Sequence, residues 1–166
     1  MKRNLRILLV MLLCSGCATK PMISPDRWVE DYDYEQDFNG YLKAKFDEAV
    51  VQERVPYIYI YANWCPPCVR LRRESQTNPE FDKLFVETQI VLLNYDKLKG
   101  VENTPNYGGV PLIIPIEKDG ALASRGINGI PWNRLPRDIE MYLCNFFEER
   151  RLTSSKLKRD CGEPSS

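Results

Sequence analysis

The 166-residue chain contains no histidine and no long apolar run. Histidine is the usual general base near neutral pH and the usual nitrogen ligand of zinc, so its absence argues against Cys-His proteases, Cys₂His₂ zinc sites and most metallohydrolases. The apolar run at residues 5–13 is too short to span a bilayer as a helix. The composition still predicts a packed domain, because 43% of the residues are hydrophobic and 28% are charged.

The N-terminus has the three-part organisation of a secretory signal. It begins with basic residues, continues with the apolar run and ends with the small residues Ser15 and Gly16. We therefore interpret residues 1–16 as a signal peptide and expect export from the cytoplasm. The alternative is an uncleaved membrane anchor.

Residues 12–17, which read Leu-Leu-Cys-Ser-Gly-Cys, resemble the lipobox of bacterial lipoproteins. In that family a cysteine after small residues is lipidated and becomes the mature N-terminus, and Cys17 is its equivalent here. Cys14 departs from the pattern, since leucine is commonest at that position. The residue after Cys17 is Ala18 and not aspartate, which in lipoproteins favours the outer membrane. The resemblance implies a protein anchored through Cys17 on the periplasmic side of the cell envelope.

Processing would leave little net charge. Residues 1–16 carry three basic residues and no acidic ones, so the mature chain has 20 basic and 23 acidic residues and a net charge of −3. This balance gives no reason to expect a nucleic-acid partner. Residues 17–39 contain prolines and an acidic run, which favours a solvated tether. Alternatively, the aromatic residues Trp28, Tyr32 and Tyr34 pack this arm on the domain.

Periodicity and turn residues predict an α/β domain over residues 40–152, followed by a polar tail at 153–166. Helices are predicted at residues 41–53, 69–74, 79–86 and 136–151, and strands at residues 57–62, 90–95, 112–116 and 121–125. The first two strands are uncharged runs, as expected for strands buried on both faces. The alternating order predicts a mixed four- to five-stranded sheet with helices on both faces.

Residues 63–69 read Asn-Trp-Cys-Pro-Pro-Cys-Val and place Cys65 and Cys68 between a predicted strand and a predicted helix. Such a pair can be half of a zinc site, a structural disulfide or a reactive dithiol. Zinc is disfavoured, because histidine is absent and Cys144 and Cys161 are not spaced as a second pair of this kind.

A helix N-terminus stabilises a thiolate through its unpaired N–H groups and its dipole, which lowers the thiol pKa. The position therefore favours a dithiol in which Cys65 attacks and Cys68 resolves the mixed disulfide. An inert disulfide remains the alternative.

Over residues 40–150 the chain resembles the thioredoxin superfamily. The matching segments are the strand at 57–62, the Trp-Cys-Pro-Pro-Cys motif at 64–68, the Gly-Val-Pro sequence at 109–111 and the turn at 118–120. The resemblance implies a thioredoxin-like fold and thiol–disulfide oxidoreductase activity through Cys65 and Cys68. It implies no cofactor and no metal.

The resemblance also implies roles for residues around the pair. Pro111 would have a cis peptide bond and lie against the cysteines, and the backbone of Val110 would pair with a substrate peptide. Trp64, Pro66 and Pro67 would complete the substrate-binding surface. Simple packing is the alternative for Trp64, and an ordinary trans proline is the alternative for Pro111.

Two positions depart from the family pattern. Tyr59 stands where thioredoxins have a buried acid that helps to move the proton of the second thiol. Proton transfer would then use water, the backbone or a residue such as Glu74, for which an exposed position on the helix is the favoured interpretation. Pro66-Pro67 matches neither the Gly-Pro of typical thioredoxins nor the Pro-His of strong periplasmic oxidases. Pro67 is shared with the reductants and favours reduction.

Cys144 and Cys161 are expected to form a structural disulfide, because exported chains seldom keep free thiols. Unpaired thiols and a second redox pair that relays electrons to the first are alternatives.

The sequence thus predicts an envelope oxidoreductase that reduces disulfides in exported proteins and is recycled by a membrane redox partner. A disulfide oxidase or isomerase and a non-catalytic binding or assembly lipoprotein are the alternatives.

Overall fold

The computed structural model describes residues 25–104, 108–130, 136–150 and 161. The helices are α1 Phe38–Val51, α2 Pro66–Thr77, α3 Pro79–Asp82 and α4 Pro136–Glu148, with 3-10 turns at Pro25–Arg27 and Lys83–Phe85. The strands are β1 Trp28–Val29, β2 Val55–Tyr61, β3 Thr88–Asn94, β4 Leu112–Pro115 and β5 Ile127–Asn128. The predicted signal peptide, Cys17 and most of the polar tail lie outside the described residues. No helix of the described part is long and apolar enough to cross a membrane.

The strands form one mixed sheet in the order β1-β3-β2-β4-β5. β1, β3 and β2 run parallel, whereas β4 and β5 are antiparallel to their neighbours. Every residue of β3 is buried, and only Val55 of β2 is not. This burial explains the uncharged runs in both strands, and the predicted mixed sheet is confirmed.

Helices cover both faces of the sheet. On one face, Leu71 of α2 and Phe147 of α4 pack against Tyr57 and Ile90. On the other face, Leu42 of α1 packs against Ile58. The sheet is therefore the middle layer of three, and the loops at the carboxyl ends of β2 and β3 share one edge.

The predicted strand at 121–125 is wrong. Only Leu122 bridges to Ile116, and pairing with β4 resumes at β5. Gly126 makes this return possible, because a Cβ at that position would lie 2.5 Å from the Ile113 carbonyl oxygen. A side chain there would hold the two strands apart.

The solvated-tether interpretation is wrong for residues 25–37, and the alternative of packing holds. β1 extends the sheet at the edge of β3. The Trp28 ring lies 5.0 Å from the Phe85 ring and 6.2 Å from the Tyr59 ring, between centroids. Arg27, itself buried, forms an ion pair with Asp82. Two carboxylates of this acidic arm pair with basic residues of the domain, Asp26 with Arg54 and Asp31 with Lys45.

Candidate active site

Cys65 lies between β2 and α2, and Cys68 lies in the first turn of α2. Cys65 is the N-cap of the helix, and its sulfur accepts a hydrogen bond from the Cys68 N–H at 3.3 Å. Pro66 and Pro67 occupy the first turn, where a missing N–H costs nothing. The two cysteines are joined by a disulfide, and they are 3% and 0% exposed. The sulfur of Cys65 therefore sits at the positive end of the α2 dipole.

The Val110–Pro111 peptide bond is cis. It comes directly before β4, which is the neighbour of β2 in the sheet. The carbonyl oxygen of Val110 lies 3.6 Å from the Cys65 sulfur. The geometry implied by the family resemblance is thus present at this loop.

The Trp64 side chain is an exposed apolar surface next to the cysteine pair. It is among the exposed large hydrophobic groups, at 62%. The indole N–H donates to the Asp96 carboxylate at 2.9 Å, and the ring stands edge-on to Tyr95 at 6.0 Å between centroids. The ring is held by these contacts but is open to solvent, and Val69 on α2 is also an exposed apolar side chain.

Tyr59 lies beneath the pair and is fully buried. Its hydroxyl donates to the Cys68 carbonyl oxygen at 3.2 Å. Burial raises the pKa of Tyr59 well above its usual range, so the phenol stays protonated at any physiological pH. The side chain positions the first turn of α2 and cannot take a proton from a thiol.

Among the described residues, no aspartate or glutamate is fully buried in place of the missing acid. The buried polar or charged residues of the described part are Arg27, Ser75, Thr88, Gln89 and Asn94. Glu74 is half-buried and pairs with Arg73 on the same helix at 3.4 Å. Within the described residues there is also no cluster of three or more potential metal ligands.

A second disulfide joins Cys144 to Cys161, with the Cα atoms 5.5 Å apart. Cys144 is buried on α4, beside Leu143 in the core. This bond ties the C-terminal region to the helix that covers one face of the sheet.

Sequence reasoning missed Tyr95 and Asp96 as neighbours of the pair, since Tyr95 was only the last residue of the predicted strand at 90–95 and Asp96 follows it. They directly follow β3, which runs parallel to β2. Because the carboxyl ends of parallel neighbours meet at one edge, residues just after β3 had to approach those just after β2. That topological signal could have identified them.

Comparisons with known proteins agree with this fold and pair. The model of a family described as thioredoxin-like matches residues 38–116. No curated protein matches the sequence significantly.

Among solved structures, a disulphide isomerase from Xylella fastidiosa Temecula1 is 18% identical with a TM-score of 0.50, covering 74% of this chain and 97% of its own. The oxidised thioredoxin from Plasmodium falciparum is 20% identical with a TM-score of 0.41 and coverages of 69% and 99%. The oxidised C-terminal domain of DsbD from Neisseria meningitidis is 20% identical with a TM-score of 0.43 and coverages of 69% and 97%. At this identity the isomerase supports the fold alone.

The resemblance to the thioredoxin superfamily is therefore confirmed. The chain contains a thioredoxin-like domain that carries a redox-type cysteine pair at Cys65 and Cys68.

Proposed function

We propose that the protein is a thiol–disulfide oxidoreductase of the bacterial cell envelope that reduces disulfides in exported proteins. The observation that carries this proposal is the placement of Cys65 at the N-cap of α2, with its sulfur accepting the Cys68 N–H. A thiolate at that place gains both the hydrogen bond and the helix dipole.

The reaction requires the reduced pair. The Cys65 thiolate attacks one sulfur of a substrate disulfide, a mixed disulfide forms and the other substrate sulfur leaves as a thiolate. The Cys68 sulfur then attacks that of Cys65, which releases the second substrate thiolate and restores the Cys65–Cys68 disulfide. The substrate gains two electrons from the pair, and a dithiol partner must supply two electrons for the next cycle.

The surroundings of the pair suit a peptide substrate. Val110 offers its backbone next to the reacting sulfur, and Trp64 offers an exposed apolar ring. Pro66 is exposed beside them. These groups are the proposed substrate-binding surface, together with Pro67 and Pro111.

The proposed cellular setting is inferred from the N-terminal residues. The signal-like residues 1–16 and the lipobox-like Cys17 support anchoring on the periplasmic side of the envelope, with the outer membrane favoured. The proposed substrates are exported proteins with cysteines, and the proposed electron donor is a membrane protein with a reactive dithiol. Pro67 favours the reducing direction.

The reduction potential of the pair tests the proposal. It is measured on the domain without its signal, equilibrated with glutathione or dithiothreitol buffers, in a Cys144→Ser/Cys161→Ser background that leaves one redox pair. A value near that of thioredoxin, about −270 mV, supports the reductase. A value near −120 mV identifies a disulfide donor instead. A pair that fails to equilibrate marks a non-catalytic protein.

A further inference from the structure

Asn128 is fixed beside the cis-proline loop by the backbone of the sheet. It is the last residue of β5 and lies directly opposite Leu112 in the register of β4 and β5. The next residue, Gly129, donates its N–H to the Pro111 carbonyl oxygen at 2.8 Å. The position of Asn128 is thus tied to the cis bond itself.

The side chain of Asn128 lies over the two glycines that precede Val110. A Cβ on Gly108 would come within 3.1 Å of the Asn128 amide nitrogen, and a Cβ on Gly109 would lie 4.0 Å from the amide oxygen. Glycine at these positions therefore leaves room for the amide next to the loop. The contact brings Asn128 to the rim of the site, because Val110 follows these glycines directly.

The Asn128 amide is exposed, and among the described residues it has no hydrogen-bond partner. An asparagine side chain has two donor hydrogens and an acceptor oxygen. An extended peptide presents the matching groups, an N–H and a C=O at every residue. A small disulfide with no N–H, O–H or carbonyl group can use neither function of this side chain.

We infer that Asn128 is a specificity-determining residue, which hydrogen-bonds the main chain of an extended peptide whose disulfide has reached Cys65. A peptide alongside Val110 passes the rim where the amide lies. Asn128 then favours peptide disulfides over small ones. This inference rests on the proposed function, since it requires that the pair exchange with a substrate disulfide.

The test compares two substrates on the reduced full-length protein. One is a peptide closed by a cystine, and the other is diethyl disulfide, which has no N–H, O–H or carbonyl group. In the Asn128→Ala variant, we expect the ratio of kcat/KM for the peptide to kcat/KM for the small disulfide to fall about threefold to tenfold, as for the loss of one hydrogen bond. The change should appear as a higher KM for the peptide. In Asn128→Asp, which keeps only the acceptor function, the ratio should fall by less.

Gln76→Ala is the matched control, because Gln76 is an exposed amide near the far end of α2. It should leave the ratio as in the unsubstituted protein. An equal change for both substrates in Asn128→Ala would show a structural effect and overturn the inference, as would an unchanged ratio. If the unsubstituted protein reduces neither substrate, the proposed function itself is wrong and the inference falls with it.

Discussion

Cys65 and Cys68 occupy different surroundings, and the difference supports the roles proposed for them. The sulfur of Cys65 accepts a backbone N–H and lies 3.6 Å from the Val110 carbonyl oxygen, at the loop where a substrate would dock. Cys68 is fully buried, and its carbonyl oxygen accepts from Tyr59 below. In the proposed reaction a substrate therefore meets the sulfur of Cys65, and Cys68 reacts within the protein.

The Cys68→Ser variant should therefore trap substrate on Cys65. Attack by Cys65 still forms the mixed disulfide, but no second thiol remains to release it. We expect a covalent adduct with a cystine peptide, detectable by mass spectrometry and lost on addition of dithiothreitol. Cys65→Ser is the control and should form none. An adduct of similar yield on Cys68 in that control would reverse the assigned roles.

Tyr59 predicts the pH dependence of the releasing step. Its pKa is raised by burial, so the phenol stays protonated, and no aspartate or glutamate of the described part is a fully buried residue. We therefore expect the proton of Cys68 to leave to solvent. Over the pH range in which Cys68 is a thiol, the rate of release should rise about tenfold per pH unit, in proportion to its thiolate fraction.

Stopped-flow measurements of mixed-disulfide release across that pH range would test this dependence. Tyr59→Phe is the control, because it removes the hydroxyl without adding a base. It should keep the same slope and lower the free energy of unfolding by about 1 kcal/mol. A flat profile near neutral pH in the unsubstituted protein would reveal an internal base.

At the level of residues, the sequence predicted the features that depend only on residues nearby in the chain. The position of Cys65 at a helix start follows from the proline pair after a buried strand. The roles of Asp96 and Asn128 could not be read in the same way. They depend on which strands are neighbours and on a glycine that lets β5 approach β4. Such contacts are properties of the assembled sheet.

The helices and strands also differ in whether nearby residues in the chain or the assembled sheet determines them. β2 and β3 were predicted because burial on both faces leaves a continuous apolar run. β1 and β5 have only two residues each and are strands because they pair with β3 and β4. Two residues are too few to show the alternating pattern of a strand in the sequence. The acidic run around β1 predicted a solvated segment. In the structure, Tyr32 is buried and Glu30 accepts a hydrogen bond from the Tyr61 hydroxyl.

The packing of β1 predicts that the arm contributes to stability. Trp28 lies against Phe85 and Tyr59, beneath the cysteine pair. Trp28→Ala should lower the free energy of unfolding by about 3 kcal/mol, the cost of deleting a large aromatic side chain from a packed cluster. Urea denaturation followed by circular dichroism measures it.

Val51→Ala is the matched control for the arm, because Val51 is 85% exposed at the end of α1. Its effect should stay within about 0.5 kcal/mol. An equally small effect of Trp28→Ala would mean that the arm is not part of the cooperative unit.

In the molecule as a whole, the start of the N-terminal arm and the cysteine pair lie at opposite ends of the parallel strands. β1 runs parallel to β3 and β2, so Pro25 lies towards the amino ends of these strands. The Asp26 carboxylate pairs there with Arg54, directly before β2. Cys65 follows the other end of β2, and seven strand residues separate the two ends by about 23 Å.

If Cys17 carries the proposed lipid, this geometry predicts that the dithiol is open to the aqueous phase in the anchored protein. Seven residues separate Cys17 from Pro25, and a fully extended chain would cover at most about 29 Å between them. Pro25, where the described part begins, lies at the end of the sheet away from Cys65. Reduced Cys65 in the Cys68→Ser variant should react with a polymer-coupled maleimide equally fast in lipid vesicles and in an anchor-free form. A strong slowing in vesicles, with unchanged reaction of a small maleimide, would show that the site faces the bilayer. Equal rates would mean that a membrane electron donor must extend its own dithiol outward to meet the pair.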